Sequence, residues 1–67
     1  MDISKKFGKR LRAIRLKKQL SQGEIGKKLG VSSNYISQIE RGVENLSLKG
    51  IEKIAKALRV SIEDLIK

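Results

Sequence analysis

Ser33, Asn34, Ser37 and Gln38 group on one side of a helical wheel drawn over residues 32–42, where successive residues turn by about 100°. Ser32, Ile36 and Ile39 group on the other side, so one segment carries both an edge for burial and a strip of uncharged hydrogen-bonding groups. Lysine and glutamate would keep a helix face soluble without offering that pattern. A carboxamide has a donor and an acceptor and can pair bidentately with an adenine edge, and a serine hydroxyl can serve several bases. Fixed donor and acceptor patterns of this kind line the major groove of duplex DNA. For each residue singly, a solvated face competes with base reading. Taken together in a basic chain, the four favour base reading.

The charge balance points to the same class of partner. Lys+Arg number 16 against 7 Asp+Glu, a formal net charge of +9 with a pI near 10.3, which suits a polyanion such as nucleic acid. A generic lysine-rich surface is the plainer alternative. Lys5, Lys6, Lys9, Arg10, Arg12, Arg15, Lys17 and Lys18 crowd the first segment, where Asp2 is the only acid. They read mostly as a solvated face that attracts a partner from a distance. With aromatics at 3% there is no stacking platform for single-stranded bases.

Other classes are set aside by what is missing. Cys and His are both absent, so disulfides and the common zinc sites are excluded, and neither a metal nor a cofactor is expected. Enzyme activity is not expected either: there is no phosphate-binding glycine loop, and Glu63 and Asp64 sit side by side at a helix start, where acids are ordinary. No apolar run approaches the ~20 residues of a membrane span, and no secretory signal opens the chain. The expectation is a cytoplasmic protein with no membrane partner.

The elements that must position the strip are all helical. Apolar residues recur at helical spacing and nowhere alternate as in a strand. A first helix is expected from near Ser4 to about Lys18, burying Phe7, Leu11 and Ile14. Ser21 and Glu24 form a capping box that opens a second, with Ile25 and Leu29 on one face and Gly30 at its end. Ser32 can cap the third, which Gly42 closes. Ser47 can cap a fourth containing Ile51, Ile54, Ala55 and Leu58; Arg59-Val60 is a joint; Ser61 with Asp64 opens a short fifth. The expected core is Phe7, Leu11, Ile14, Leu20, Ile25, Leu29, Val31, Ile36, Ile39, Leu48, Ile51, Ile54, Leu58, Val60 and Leu65. The fold class is therefore all-α, a compact five-helix arrangement forming a single domain over 1–67. Its second and third helices make a helix-turn-helix at about 22–41.

The stretch LSQGEIGKKLGVSSNYISQIERG resembles the helix-turn-helix of Cro/repressor-type, xenobiotic-response-element-like transcriptional regulators. The likeness runs from about Lys5 to Ile66 and includes Gln22, the apolar Ile25, Leu29, Ile36 and Ile39, the small Gly26, and Gly30. ERGVENLSL further resembles the controller proteins of restriction-modification systems. The resemblance implies a lambda-repressor-like fold that binds duplex DNA as a homodimer. It also implies base reading at Ser33, Asn34 and Gln38, with Ser37 less regular. Gln22 would hold a phosphate and brace Gln38, and an Arg15–Glu40 ion pair would tie the first helix to the third. Two departures stand out. Gly26 replaces a common alanine, and with Gly23 it costs about 1 kcal/mol of helix propensity per glycine, leaving the second helix prone to fraying. Gln19 stands where the turn after the first helix often has glycine.

Base readers need backbone anchors. The candidates for phosphate contact are Gln22, Tyr35, Arg41, Asn45, Ser47 and Lys49. Tyr35 sits at the edge of an apolar stripe and is equally suited to core packing, and Arg41 suits a helix C-terminus. Val43, Leu46, Ile62, Leu65 and Ile66 offer more apolar groups than one small core absorbs and are candidates for a homodimer interface, Leu65 being better suited to the core. The function implied is sequence-specific binding of double-stranded DNA in transcription regulation, as a repressor or controller protein. The alternative is an antitoxin-type interaction module with a toxin or other protein partner, which would also bind DNA.

Overall fold

Serines 21, 32, 47 and 61 each stand one residue ahead of a helix, in extended backbone, and each hydroxyl accepts the amide three residues on. These caps divide the chain in the computed structural model, which describes residues 3–67. The elements are α1 (Ile3–Lys17), α2 (Gln22–Leu29), α3 (Ser33–Glu40), α4 (Leu48–Leu58) and α5 (Ile62–Ile66). Asp2, the acid of the basic first segment, lies outside the described residues. No strand occurs among the described residues, and no helix is long and apolar enough to cross a membrane.

The helix ends are as regular as the starts. After α1, α2, α3 and α4 the chain closes with a paired set of bonds, such as Gln19 N–H to Leu16 O and Leu20 N–H to Arg15 O, both 3.0 Å. This is the Schellman closure, and it puts one residue in the left-handed region. At two ends that residue is glycine, Gly30 (φ 74°) and Gly42 (φ 78°); at the other two it is Gln19 (φ 59°) and Arg59 (φ 57°). The turn after α1 thus keeps a geometry suited to glycine although Gln19 occupies it, at a local cost of roughly 1–2 kcal/mol.

The core is built from Phe7, Leu11, Ile25, Ile36, Ile39, Ile54, Ala55, Leu58 and Leu65. Ile14, Leu20, Leu29, Tyr35, Leu46, Ile51, Val60 and Ile62 pack around it half-buried. Two expected core residues are outside: Leu48 is 67% exposed and Val31 is 36% exposed. Leu48 is the first residue of α4, ahead of the turn that packs inward. Val31 belongs to a turn whose backbone, rather than side chain, meets α2. Ala55, on the expected stripe of α4 but left off the core, is buried.

α3 lies against both α2 and α1; α2 also packs on α4, and α5 closes against α1 and α4. Gly8 explains how near α1 comes to α3. A Cβ on Gly8 would lie 2.5 Å from the carbonyl oxygens of both Ile39 and Glu40. No side chain fits there, so the middle of α1 touches the backbone at the C-terminal end of α3.

Candidate nucleic-acid interface

The turn between α2 and α3 is held against α2 itself. Val31 N–H donates to Gly26 O at 2.8 Å, and a Cβ at Gly26 would meet Val31 O at 2.6 Å. Glycine at 26 therefore lets the turn backbone close on the helix, which offsets its propensity cost. α2 runs helically from its capping box to Gly30. Within the box, Ser21 N–H donates to Glu24 Oε1 at 2.8 Å and Glu24 N–H to Ser21 Oγ at 3.0 Å. Those bonds, the backbone one first, hold the Glu24 carboxyl below the usual carboxylate range.

With Ile36 and Ile39 buried beneath it, α3 turns its opposite side outward. Ser33 and Asn34 are exposed, and Ser37 and Gln38 are half-buried. Neither Asn34 nor Gln38 is sealed beneath another part of the chain. The strip of donors and acceptors lies on the outer side of α3.

Behind the strip a polar hub sets the position of α3. Arg15 Nε donates to Glu40 Oε2 at 2.6 Å and Arg15 Nη2 to Glu40 Oε1 at 3.0 Å, a bidentate pair. The two side chains are only 10% and 4% exposed. Arg15 Nη1 donates to Leu20 O at 3.0 Å, and Gln22 Nε2 donates to Glu40 Oε1 at 3.1 Å. The Arg15–Glu40 pair thus ties together α1, the turn after it, the start of α2 and the end of α3. The hydrogen bond to Glu40 raises the Arg15 pKa from its already high ordinary value, outweighing burial, which lowers it. Gln22 braces Glu40, whereas the family resemblance had suggested Gln38 as its neighbour.

In front of the hub opens a cleft of about 470 Å³ lined by Arg12, Arg15, Ser21, Gln22, Ser37, Glu40 and Arg41. It runs along the edge of α3 that carries Ser37 and Arg41, one helical turn apart. The remaining phosphate candidates are spread further. Tyr35 is half-buried against the core. Asn45, Ser47 and Lys49 are exposed on the loop after α3 and the first turn of α4. Asn45 Oδ1 accepts from Ser4 Oγ at 2.9 Å, which ties that loop to the start of α1. Ser47 Oγ accepts Gly50 N–H at 3.1 Å as the cap of α4.

The expected dimer residues divide. Leu65 is fully buried, and Leu46 and Ile62 pack half-buried on the core. Val43 and Ile66 remain exposed, joined by Ile3 and Leu48. Ile3, Phe7, Leu46, Ile51 and Ile66 line an open apolar groove of about 440 Å³, rimmed by Lys6 and Glu44. The site residues that pattern-reading passed over are Gly8, Arg12 and Leu20, the last acting through its carbonyl. Gly8 was visible only as a glycine inside a helical stripe.

The helix-turn-helix family model matches residues 11–65. The control protein C.BamHI of Bacillus amyloliquefaciens is 48% identical over 61 residues, covering 90% of this chain and 75% of that protein. The crystal structure of the restriction-modification controller protein C.AhdI from Aeromonas hydrophila superposes with a TM-score of 0.85 at 41% identity, covering 91% of this chain and 88% of that one. The master regulator for biofilm formation SinR, solved in complex with DNA, superposes with a TM-score of 0.81 at 35% identity, covering 91% of this chain and 98% of that one.

Proposed function

The chain belongs to the helix-turn-helix family, and from that premise we propose that it is a sequence-specific regulator of transcription that binds duplex DNA as a homodimer, of the restriction-modification controller type. The observation that carries the proposal is the outward strip on α3, with Ser33 and Asn34 exposed and Ser37 and Gln38 half-buried. α3 enters the major groove, and these four side chains read base edges there. Phosphate contacts come from both sides of the helix: Gln22 and Arg41 on one, Asn45, Ser47 and Lys49 with the loop and α4 on the other. Tyr35 adds a hydroxyl at the margin of the core. The chemistry offered is recognition, with no reaction catalysed. The buried hub fixes where α3 projects, so that binding is not charged with ordering the reading head.

One such module reads few base pairs. A second copy, related by a two-fold axis, would place two α3 helices about 34 Å apart, one turn of DNA. The exposed Ile3, Val43, Leu48 and Ile66 supply the apolar surface for that pairing. Selection of bound duplexes from a random pool tests the whole proposal. The expected product is a site with two inverted half-sites one helical turn apart. Recovery of unrelated sequences at fixed salt would reduce the protein to a charge-driven binder, and a monomer in sedimentation both free and on DNA would remove the dimer.

A further inference from the structure

In the sequence Arg12 is one more charge on a basic first segment. The fold separates it from Arg10, Lys17 and Lys18. It lines the cleft with Gln22, Ser37 and Arg41, where α1, the start of α2 and one edge of α3 meet. That cleft holds three guanidiniums against one carboxylate. Arg15 is already matched bidentately by Glu40. Arg12 and Arg41 are exposed, and neither side chain has an ion pair or hydrogen bond among the described residues. Arg10, Lys17 and Lys18 line a different cleft, beside Val60 and Asp64.

We infer that Arg12 is a DNA-contacting residue, which grips one backbone phosphate of the duplex beside the Ser37–Arg41 edge of α3. The inference rests on the duplex-reading proposal above. A phosphodiester offers two anionic oxygens, and a guanidinium presents paired N–H groups that match them. The excess positive charge of the cleft is left without an anion by the protein's own residues. It lies beside the helix whose free strip faces the bases, where one wall of a major groove about 12 Å wide would run. Arg10, Lys17 and Lys18 contribute long-range attraction only.

The test uses the duplex recovered by the random-pool selection. Affinity is measured against salt for the parent, Arg12→Gln, Arg12→Lys and Arg10→Gln, each first checked for unchanged melting. Arg12→Gln should lower the slope of log K against log salt by about 0.9, the loss of one phosphate contact. Arg10→Gln should lower it by clearly less, and Arg12→Lys should keep it. The same proteins are then titrated with duplexes carrying a single neutral methylphosphonate at each backbone position in turn. One position per half-site should weaken the parent and leave Arg12→Gln unaffected. An unchanged slope in Arg12→Gln, or sensitivity to the same phosphates as the parent, overturns the contact. A parent protein that selects no duplex overturns the underlying reading and this contact with it, and does so before any variant is compared.

Discussion

Glu40→Ala should unfold this protein far more readily than any surface change. The carboxylate accepts from Arg15 Nε at 2.6 Å, Arg15 Nη2 at 3.0 Å and Gln22 Nε2 at 3.1 Å. Removing it leaves the Arg15 guanidinium, in a side chain 10% exposed, with only Leu20 O. Breaking a buried pair from one side costs about 3–5 kcal/mol, because the surviving charge is stranded. At roughly 0.1 kcal/mol per residue, a chain of 67 residues has about 7 kcal/mol in total. About 1 kcal/mol moves Tm by roughly 4–8 °C at this size, so Glu40→Ala should melt more than about 12 °C below the parent. Thermal unfolding followed by circular dichroism reads this directly. The double variant Arg15→Met with Glu40→Leu separates stranding from lost packing. It removes both charges, keeps volume, and should recover most of the loss. A melting temperature for Glu40→Ala within ~3 °C of the parent, or a double variant as unstable as the two singles added, would refute the hub as the tie between α1 and α3.

Asn34→Ala or Gln38→Ala should cost about 1–3 kcal/mol on the selected site and relax base preference there; titration showing equal losses on random DNA removes them from the readout. Lys49→Ala should weaken all duplexes alike and lower the salt slope by about one, checked by anisotropy across a salt series. Gly8→Ala pits a helix-propensity gain of about 1 kcal/mol against a Cβ 2.5 Å from two backbone carbonyl oxygens, and overpacking of this kind costs about 1–3 kcal/mol. Its Tm should fall, and a rise would show that α1 and α3 separate freely. The capping box gives a pH dependence. Glu24 has a depressed folded pKa, so its contribution is complete above the ordinary glutamate value of ~4.3 and is lost as pH falls through the lower folded value. The Tm difference between the parent and Glu24→Gln should therefore be present at neutral pH and vanish in acid.

The helix boundaries were legible because they are local. A serine hydroxyl reaches the amide three residues on, so Ser21, Ser32, Ser47 and Ser61 announce helix starts without reference to the rest of the chain. Gly30 and Gly42 announce two ends for the same reason. Gln19 and Arg59 adopt the same left-handed backbone without any local signal. There a cost of roughly 1–2 kcal/mol is overridden by the packing of the helices on either side. The exposed side of α3 was legible as well, since the wheel that put Ile36 and Ile39 inside put Asn34 outside.

What the chain's order of residues determined by itself was an all-helical, strongly basic protein with a neutral hydrogen-bonding strip on its third helix. Capping chemistry, apolar periodicity and charge act within a few residues, so they can be read along the chain. Which helix crosses which, and at what depth, was decided only by the tertiary structure. Gly8 meets α3 through backbone alone, and Arg12 lines the cleft beside Arg41 while Arg10, Lys17 and Lys18 line another. A helical wheel has no knowledge of its neighbour's orientation. That orientation comes from contacts between distant segments, and it turned one charge among many into a cation facing the recognition helix.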